Sequence, residues 1–220
     1  MAENLSKVEN LIKKSLKNLN EIGEEKADCS QPPLFKDVLK KTGGEDKATP
    51  QLIFPIRINE KKRVSEQEIR FLFVKELENQ TDFYYSVETP TKQRYSFTGK
   101  RKISGNIDVC LYEKVDSQYK RVHLIEFKAL NPSIRSYEKD FQKLFFDEEN
   151  LTNYFIQILE NADAETIPNI ENKYNAALDA VFNGEKQPKS NVIIFLYSIT
   201  KGELYRYENF AKNKKLKPYN

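Results

Sequence analysis

A chain of 220 residues, 39% hydrophobic and 31% charged, suits one good-sized domain with a real core and a polar surface, or such a domain plus an appendage. The formal net charge of +3 does not announce a nucleic-acid binder, and the longest apolar runs, such as VIIFLY at 192–197, are too short to span a membrane. Two cysteines, Cys29 and Cys110, and one histidine, His123, support neither a disulfide framework nor a zinc site. Seven glycines form no phosphate-cradling loop.

With no leader-like opening and no disulfide framework, the default expectation is a cytoplasmic protein that does not insert in membranes. Residues 3–22 carry Leu5, Val8, Leu11, Ile12, Leu16, Leu19 and Ile22 at spacings of three and four, which predicts an amphipathic helix. It is short for an independent coiled coil, so it packs on the domain or on a partner subunit, the first being favoured. From Gly23 to Pro50 the prolines, glycines and scattered charge read as a connection, in which PLFKDVLKKT has the makings of a short helix.

QLIFPIRI, 51–58, reads as an edge strand because Pro55 cannot donate to a ladder. A helix over 65–79 is announced by Ser65 with Glu68 three residues on, the capping-box pattern, and Ile69, Leu72, Phe73, Glu76 and Leu77 mark its buried stripe. FYYSVETP, 83–90, and RYSFTG, 94–99, predict the first two strands of a meander.

In KISGNIDVCLY, 102–112, Ile103, Ile107, Val109 and Leu111 alternate with Ser104, Asn106, Asp108, Cys110 and Tyr112, so Asp108 falls mid-strand on the polar face. A polar connection, EKVDSQYK, suits a hairpin into RVHLIEFKAL, 121–130. This strand is strongly apolar, yet Glu126 and Lys128 stand in its middle, two apart and therefore on one face. Burying such a pair rarely gains stability over apolar residues, so a structural ion pair is the lesser explanation. His123 lies on the opposite face with Ile125 and Phe127, which reads as structural and leaves no Ser, His and Asp triad to assemble.

Beyond Asn131 and Pro132, one long helical pattern is predicted from Ile134 through FQKLFFDEENLTNYFIQILEN, with Asp147 as a point where it could break. A further helix over about 170–183 leads to SNVIIFLYSIT, a fully buried strand, and GELYRYENF closes as an edge strand. The last residues, KNKKLKPYN, hold four lysines and no acid.

Folding the two charged strands together brings Asp108 beside Glu126 and Lys128. Hard carboxylate oxygens select Mg²⁺ or Mn²⁺, a metal so held can neutralise a phosphodiester and help ionise water, and an ammonium can orient that water. An Asp on one strand followed by Glu-x-Lys on the next resembles the PD-(D/E)xK nuclease superfamily, the restriction-endonuclease-like fold, over roughly residues 65–200. Glu-x-Lys alone is uninformative, since it recurs at 24–26, 45–47, 60–62 and 171–173 outside any apolar run. The proline that names the family is absent, Ile107 standing before Asp108.

The resemblance implies an α/β domain over 51–210, with a mixed central sheet flanked by helices on both faces, an N-terminal helical appendage within 1–50 and a basic tail at 211–220. It implies Mg²⁺- or Mn²⁺-dependent hydrolysis of nucleic acid, DNA favoured over RNA, in a setting such as restriction, repair or phage defence. Asp108 and Glu126 would bind the metal with a carbonyl near Phe127, and Lys128 would position the water. A helix glutamate, Glu68 or else Glu66, would assist. Lys100, Arg101, Lys102, Arg135, Lys139, Gln142 and Lys143 are candidates to meet the phosphate backbone. A homodimer would suit an enzyme that cuts both strands at one site. The competing expectation is an inactive nuclease-fold module that binds nucleic acid or a partner protein.

Overall fold

The computed structural model describes residues 2–24, 52–55, 63–96, 102–183 and 187–208. The expected edge strand around Pro55 is therefore described only at its first residues, and the short helix in PLFKDVLKKT, Lys100, Arg101 and the basic tail lie outside.

Among the described residues the architecture is α/β, with a six-stranded mixed sheet and four α-helices. Helix α1 (Ala2–Asn18) and a 3₁₀ turn lead to β1 (Gly23–Glu24), which pairs in parallel with β2 (Ile53–Phe54). Helix α2 (Glu66–Gln80) follows, then three antiparallel strands, β3 (Tyr84–Tyr95), β4 (Ile103–Val115) and β5 (Gln118–Ala129). Helix α3 (Ile134–Phe146) crosses to β6 (Thr152–Leu159), and α4 (Thr166–Phe182) to β7 (Asn191–Ser198), both strands parallel to β5. The antiparallel β8 (Glu203–Tyr207) closes the sheet in the order β3 to β8.

Each face of the sheet has its own apolar layer. On one, Val8, Leu11, Ile12 and Leu16 of α1 join Ile69, Leu72, Phe73 and Leu77 of α2 over Val109, Phe127, Ile156 and Phe195. On the other, Tyr137, Phe141 and Leu144 of α3 and Tyr174 and Leu178 of α4 cover Cys110, Leu124, Phe155 and Ile194. Helix α1 thus packs on the domain, and polar contacts fix it there. Glu76 takes Asn18 Nδ2 at 2.9 Å and pairs with Lys14 at 2.8 Å, while Arg206 of β8 reaches back to Glu9 at 2.8 Å.

The structure corrects three expectations. The long helix predicted from Ile134 ends at Phe146, and NYFIQIL is a strand buried on both faces. Its continuous apolar run suits a central parallel strand, and β-branched and aromatic content decides the matter where spacing does not. Asp147 marks the break: its fully buried carboxylate accepts from Gln93 N at 2.8 Å and Arg121 at 3.3 Å, tying the end of α3 to β3.

Residues 84–90 and 94–95 belong to one strand rather than two strands of a meander, since β3 runs on past an irregularity between Pro90 and Arg94 and both halves pair with β4. Finally, Ile107 does not share a layer with Val109 and Leu111. It belongs to the α3 side, because the alternation slips where β4 departs from β5.

Candidate active site at the fork between two strands

The β4–β5 ladder runs from Val115↔Gln118 to Val109↔Ile125 and stops there. Beyond it, β4 stays with β3 (Ile107↔Thr89) while β5 stays with β6 (Ile125↔Tyr154 to Ala129↔Ile158). The two central strands therefore fork, and Asp108, Glu126 and Lys128 stand at the fork. Asp108 Oδ2 accepts the Phe127 N–H at 2.7 Å, supplying the acceptor that a continued ladder would have offered.

Helix α3 closes the fork from one side with two residues. The Asp140 carboxylate bridges two lysines, with Oδ2 at 2.8 Å from Lys128 Nζ and Oδ1 at 3.0 Å from Lys143 Nζ. The Lys143 ammonium also meets Glu126 Oε1 at 2.5 Å and donates to the Asn106 carbonyl, on the departing part of β4, at 2.9 Å. From the other layer α2 contributes Arg70, whose guanidinium lies 3.9 Å from Asp108 Oδ1 and is held at 2.6 Å by Glu88.

Burial and charge crowding shape the protonation of this cluster. Glu126 is 2% exposed, and burial, reinforced by neighbouring Asp140, pushes its pKa well above the carboxylate range against the pull of Lys143. Burial likewise raises Asp108, while the Phe127 N–H and the lysines hold it down. For Lys128 and Lys143 burial alone would lower the pKa, but Asp140 and, for Lys143, Glu126 outweigh it, so both ammoniums persist. Asp108, Glu126, Asp140 and Glu66 thus bring four carboxyl groups to a site with two ammoniums, with Arg70 as the further cation beside Asp108.

Glu68 does not join the cluster. Its carboxylate closes the capping box, accepting from Ser65 N at 2.9 Å and Ser65 Oγ at 2.7 Å, with Arg63 at 3.4 Å. Glu66 faces the site instead: its pKa is raised by burial, and it feels Lys128 and the repulsion of Asp108 and Asp140. Arg70, one turn along, bonds Gln67 and Glu88 and exerts only a weaker pull on Glu66.

Of the backbone-contact candidates, Lys102 and Arg135 are exposed, and Lys139 and Gln142 are half-exposed one and two turns along α3 from Arg135. Lys143 is no surface residue, being 7% exposed with its ammonium turned into the fork. Asp140 was missed in the sequence, although a charge pair at i, i+3 within the stripe of Tyr137, Phe141 and Leu144 was the available signal. His123 sits in the α1 and α2 layer, donating from Nδ1 to the Thr152 carbonyl at 2.6 Å and packing against Phe83 and Tyr154.

Among the described residues no group of three or more His, Cys, Asp and Glu side chains closes on a single point as a metal cage. Mg²⁺ does not need one, since it keeps several waters and is held by one or two carboxylates. The donor set fits such a hard cation. Glu126 Oε1 is a buried oxygen whose close contact is an ammonium, and Asp108 stands beside it, whereas both oxygens of Asp140 are taken up by Lys128 and Lys143. No helix among the described residues is long and apolar enough to cross a membrane. No family model, curated protein or solved structure matches the chain.

Proposed function

We propose that the chain is a Mg²⁺- or Mn²⁺-dependent nuclease of the restriction-endonuclease-like class, acting on DNA in preference to RNA. The observation that carries this reading is the meeting of Asp108, Glu126 and Lys128 at the fork where β4 leaves β5. Two carboxylates and an ammonium are what metal-assisted phosphodiester hydrolysis requires. Their place toward the carboxyl end of β5, beyond the last pair of the β4–β5 ladder, is where open α/β sheets present ligands.

Asp108 and Glu126 would hold the metal, which supplies Lewis acidity toward the phosphate. Lys128, steadied by Asp140 at 2.8 Å, would orient the attacking water and meet charge developing on the phosphate oxygens. Glu66 would add negative charge from the first turn of α2. Lys102, Arg135, Lys139 and Gln142, with Lys100 and Arg101, would bear on the backbone of the substrate, a contact that positions but does not specify sequence. Cutting both strands of a duplex would call for a second copy of the site, hence a homodimer.

One observation favours the second reading, an inactive nuclease-fold module. Lys143 already occupies Glu126 Oε1, where a metal would bind. A nuclease assay separates the two. Supercoiled, linear and single-stranded DNA and RNA are incubated with Mg²⁺, Mn²⁺ or EDTA, using wild type, Asp108→Ala and Lys128→Ala. The enzyme reading expects metal-dependent cleavage that each substitution lowers by about 100-fold or more. Absence of cleavage on every substrate, with no metal-dependent stabilisation, rejects it in favour of the module.

A further inference from the structure

Lys143 has a geometry that neither a surface lysine nor a fixed structural ion pair explains. Three groups surround its ammonium: it donates to the Asn106 carbonyl at 2.9 Å and makes ion-pair contacts with Glu126 Oε1 at 2.5 Å and Asp140 Oδ1 at 3.0 Å. The partners are of different kinds. Asp140 is on the same helix one turn away, and Asn106 O belongs to the strand that has left the ladder, so these two form a tether independent of Glu126. Glu126 is the one partner that is also a metal-ligand candidate.

We infer that Lys143 is a displaceable counter-ion. It holds Glu126 in the metal-free protein and yields that oxygen to a divalent cation, while Asp140 and the Asn106 carbonyl retain the ammonium. The inference rests on the nuclease reading and assigns to this site a built-in competitor for metal. Three considerations support it. An ammonium and a divalent cation cannot share one carboxylate oxygen without strong repulsion in a poorly solvated site. Leaving Glu126 costs Lys143 only one of three partners. Removing the ammonium with nothing in its place would strand a buried carboxylate, which explains why a lysine stands there at all.

Metal affinity then reflects a contest between cation and ammonium, and the contest can be read without cleavage. Mn²⁺ binding is measured by titration calorimetry at one fixed pH and ionic strength for wild type, Lys143→Met and Asp140→Asn, with the Mg²⁺-induced rise in melting temperature recorded for each. Lys143→Met removes the competitor and is expected to bind Mn²⁺ on the order of tenfold more tightly, the usual size of a coupling between two ligands of one site. Its melting temperature should also rise more with Mg²⁺ than that of wild type. Asp140→Asn removes part of the tether, leaves Lys143 more firmly on Glu126, and is expected to bind Mn²⁺ more weakly.

If Lys143→Met proves unfolded at all metal concentrations, Asp140→Asn decides: weaker binding supports the contest, and equal or tighter binding overturns it. Wild type that binds Mn²⁺, with a folded Lys143→Met protein that binds it no more tightly, overturns the counter-ion role and leaves the nuclease reading standing. Failure of every protein to bind Mn²⁺ overturns the nuclease reading itself, with Lys143 then a permanent plug on Glu126.

Discussion

The Asp108 carboxylate accepts the Phe127 N–H at 2.7 Å, so a side chain takes over from the backbone at the point where two central strands part. One residue thereby does two things: it seals an amide that the fork would leave bare, and it places a carboxylate beside Glu126 and Lys128.

The two roles separate by substitution. Asp108→Ala leaves the Phe127 N–H without its acceptor, a loss of about 1–3 kcal/mol. Asp108→Asn keeps an acceptor oxygen and relieves a carboxylate that burial holds above its ordinary pKa, so it should retain most of the stability. Both should abolish cleavage. Urea unfolding with amide exchange at Phe127 tests this, and equally fast exchange in Asn and Ala variants would refute the capping role.

The two glutamates of α2 should behave oppositely. Glu68→Ala removes the reciprocal bond of the capping box and should cost about 1 kcal/mol while leaving cleavage nearly intact. Glu66→Gln removes charge that faces Lys128 and should weaken metal-dependent activity with little change in stability. Paired melting curves and cleavage rates decide, and a larger activity loss in the Glu68 variant would return that residue to the site.

Strand β5 and the capping box of α2 were legible because each announces itself locally: two charges two apart in an apolar run, and Ser65 three residues before Glu68. The fork was not, because the apolar and polar pattern written in 102–112 runs on unbroken past the point where pairing stops, although the strand itself slips there and turns Ile107 to the other layer. Pairing is set by what α3 and β6 demand of β5, and no pattern within β4 records it. The boundary between α3 and β6 was obscured because DEEN contains neither Gly nor Pro, and apolar residues continue on both sides at spacings a helix also allows. Asp140 and Lys143 look like an ordinary surface pair until the helix is placed over Glu126.

His123 should make stability fall in mild acid. Burial lowers its pKa below the ordinary 6.5, opposed by the Thr152 carbonyl and by Glu113. A base whose folded pKa is depressed binds its proton more readily when unfolded. Its penalty is therefore absent above about 6.5 and grows as pH falls from there to the folded value, below which it is constant. Unfolding free energies of wild type and His123→Gln between pH 7.5 and 4.5 should converge as pH falls. Parallel curves would mean that His123 takes up its proton freely in the fold.

Gln157 ties together three groups that no other feature of β6 would satisfy. Its amide nitrogen donates to the Leu130 carbonyl at 2.6 Å and to Tyr137 Oη at 2.9 Å, and its carbonyl accepts from Tyr174 Oη at 2.5 Å. Leu130 follows the end of β5 with φ of 62°, a left-handed conformation that costs about 1–2 kcal/mol for a residue with a Cβ, so something must hold it. Its carbonyl bond to Gln157 and its N–H to Ile158 O at 2.8 Å do so, two residues beyond Lys128. Gln157→Leu fills the space but strands buried hydroxyls in the α3 and α4 layer, and should cost about 3 kcal/mol or more. Because the three partners act as one network, adding Tyr174→Phe to that variant should cost far less than Tyr174→Phe alone costs wild type. Urea unfolding of the four proteins of this cycle measures the coupling, and additive losses would show that Gln157 and Tyr174 do not act on one another in holding the exit from β5.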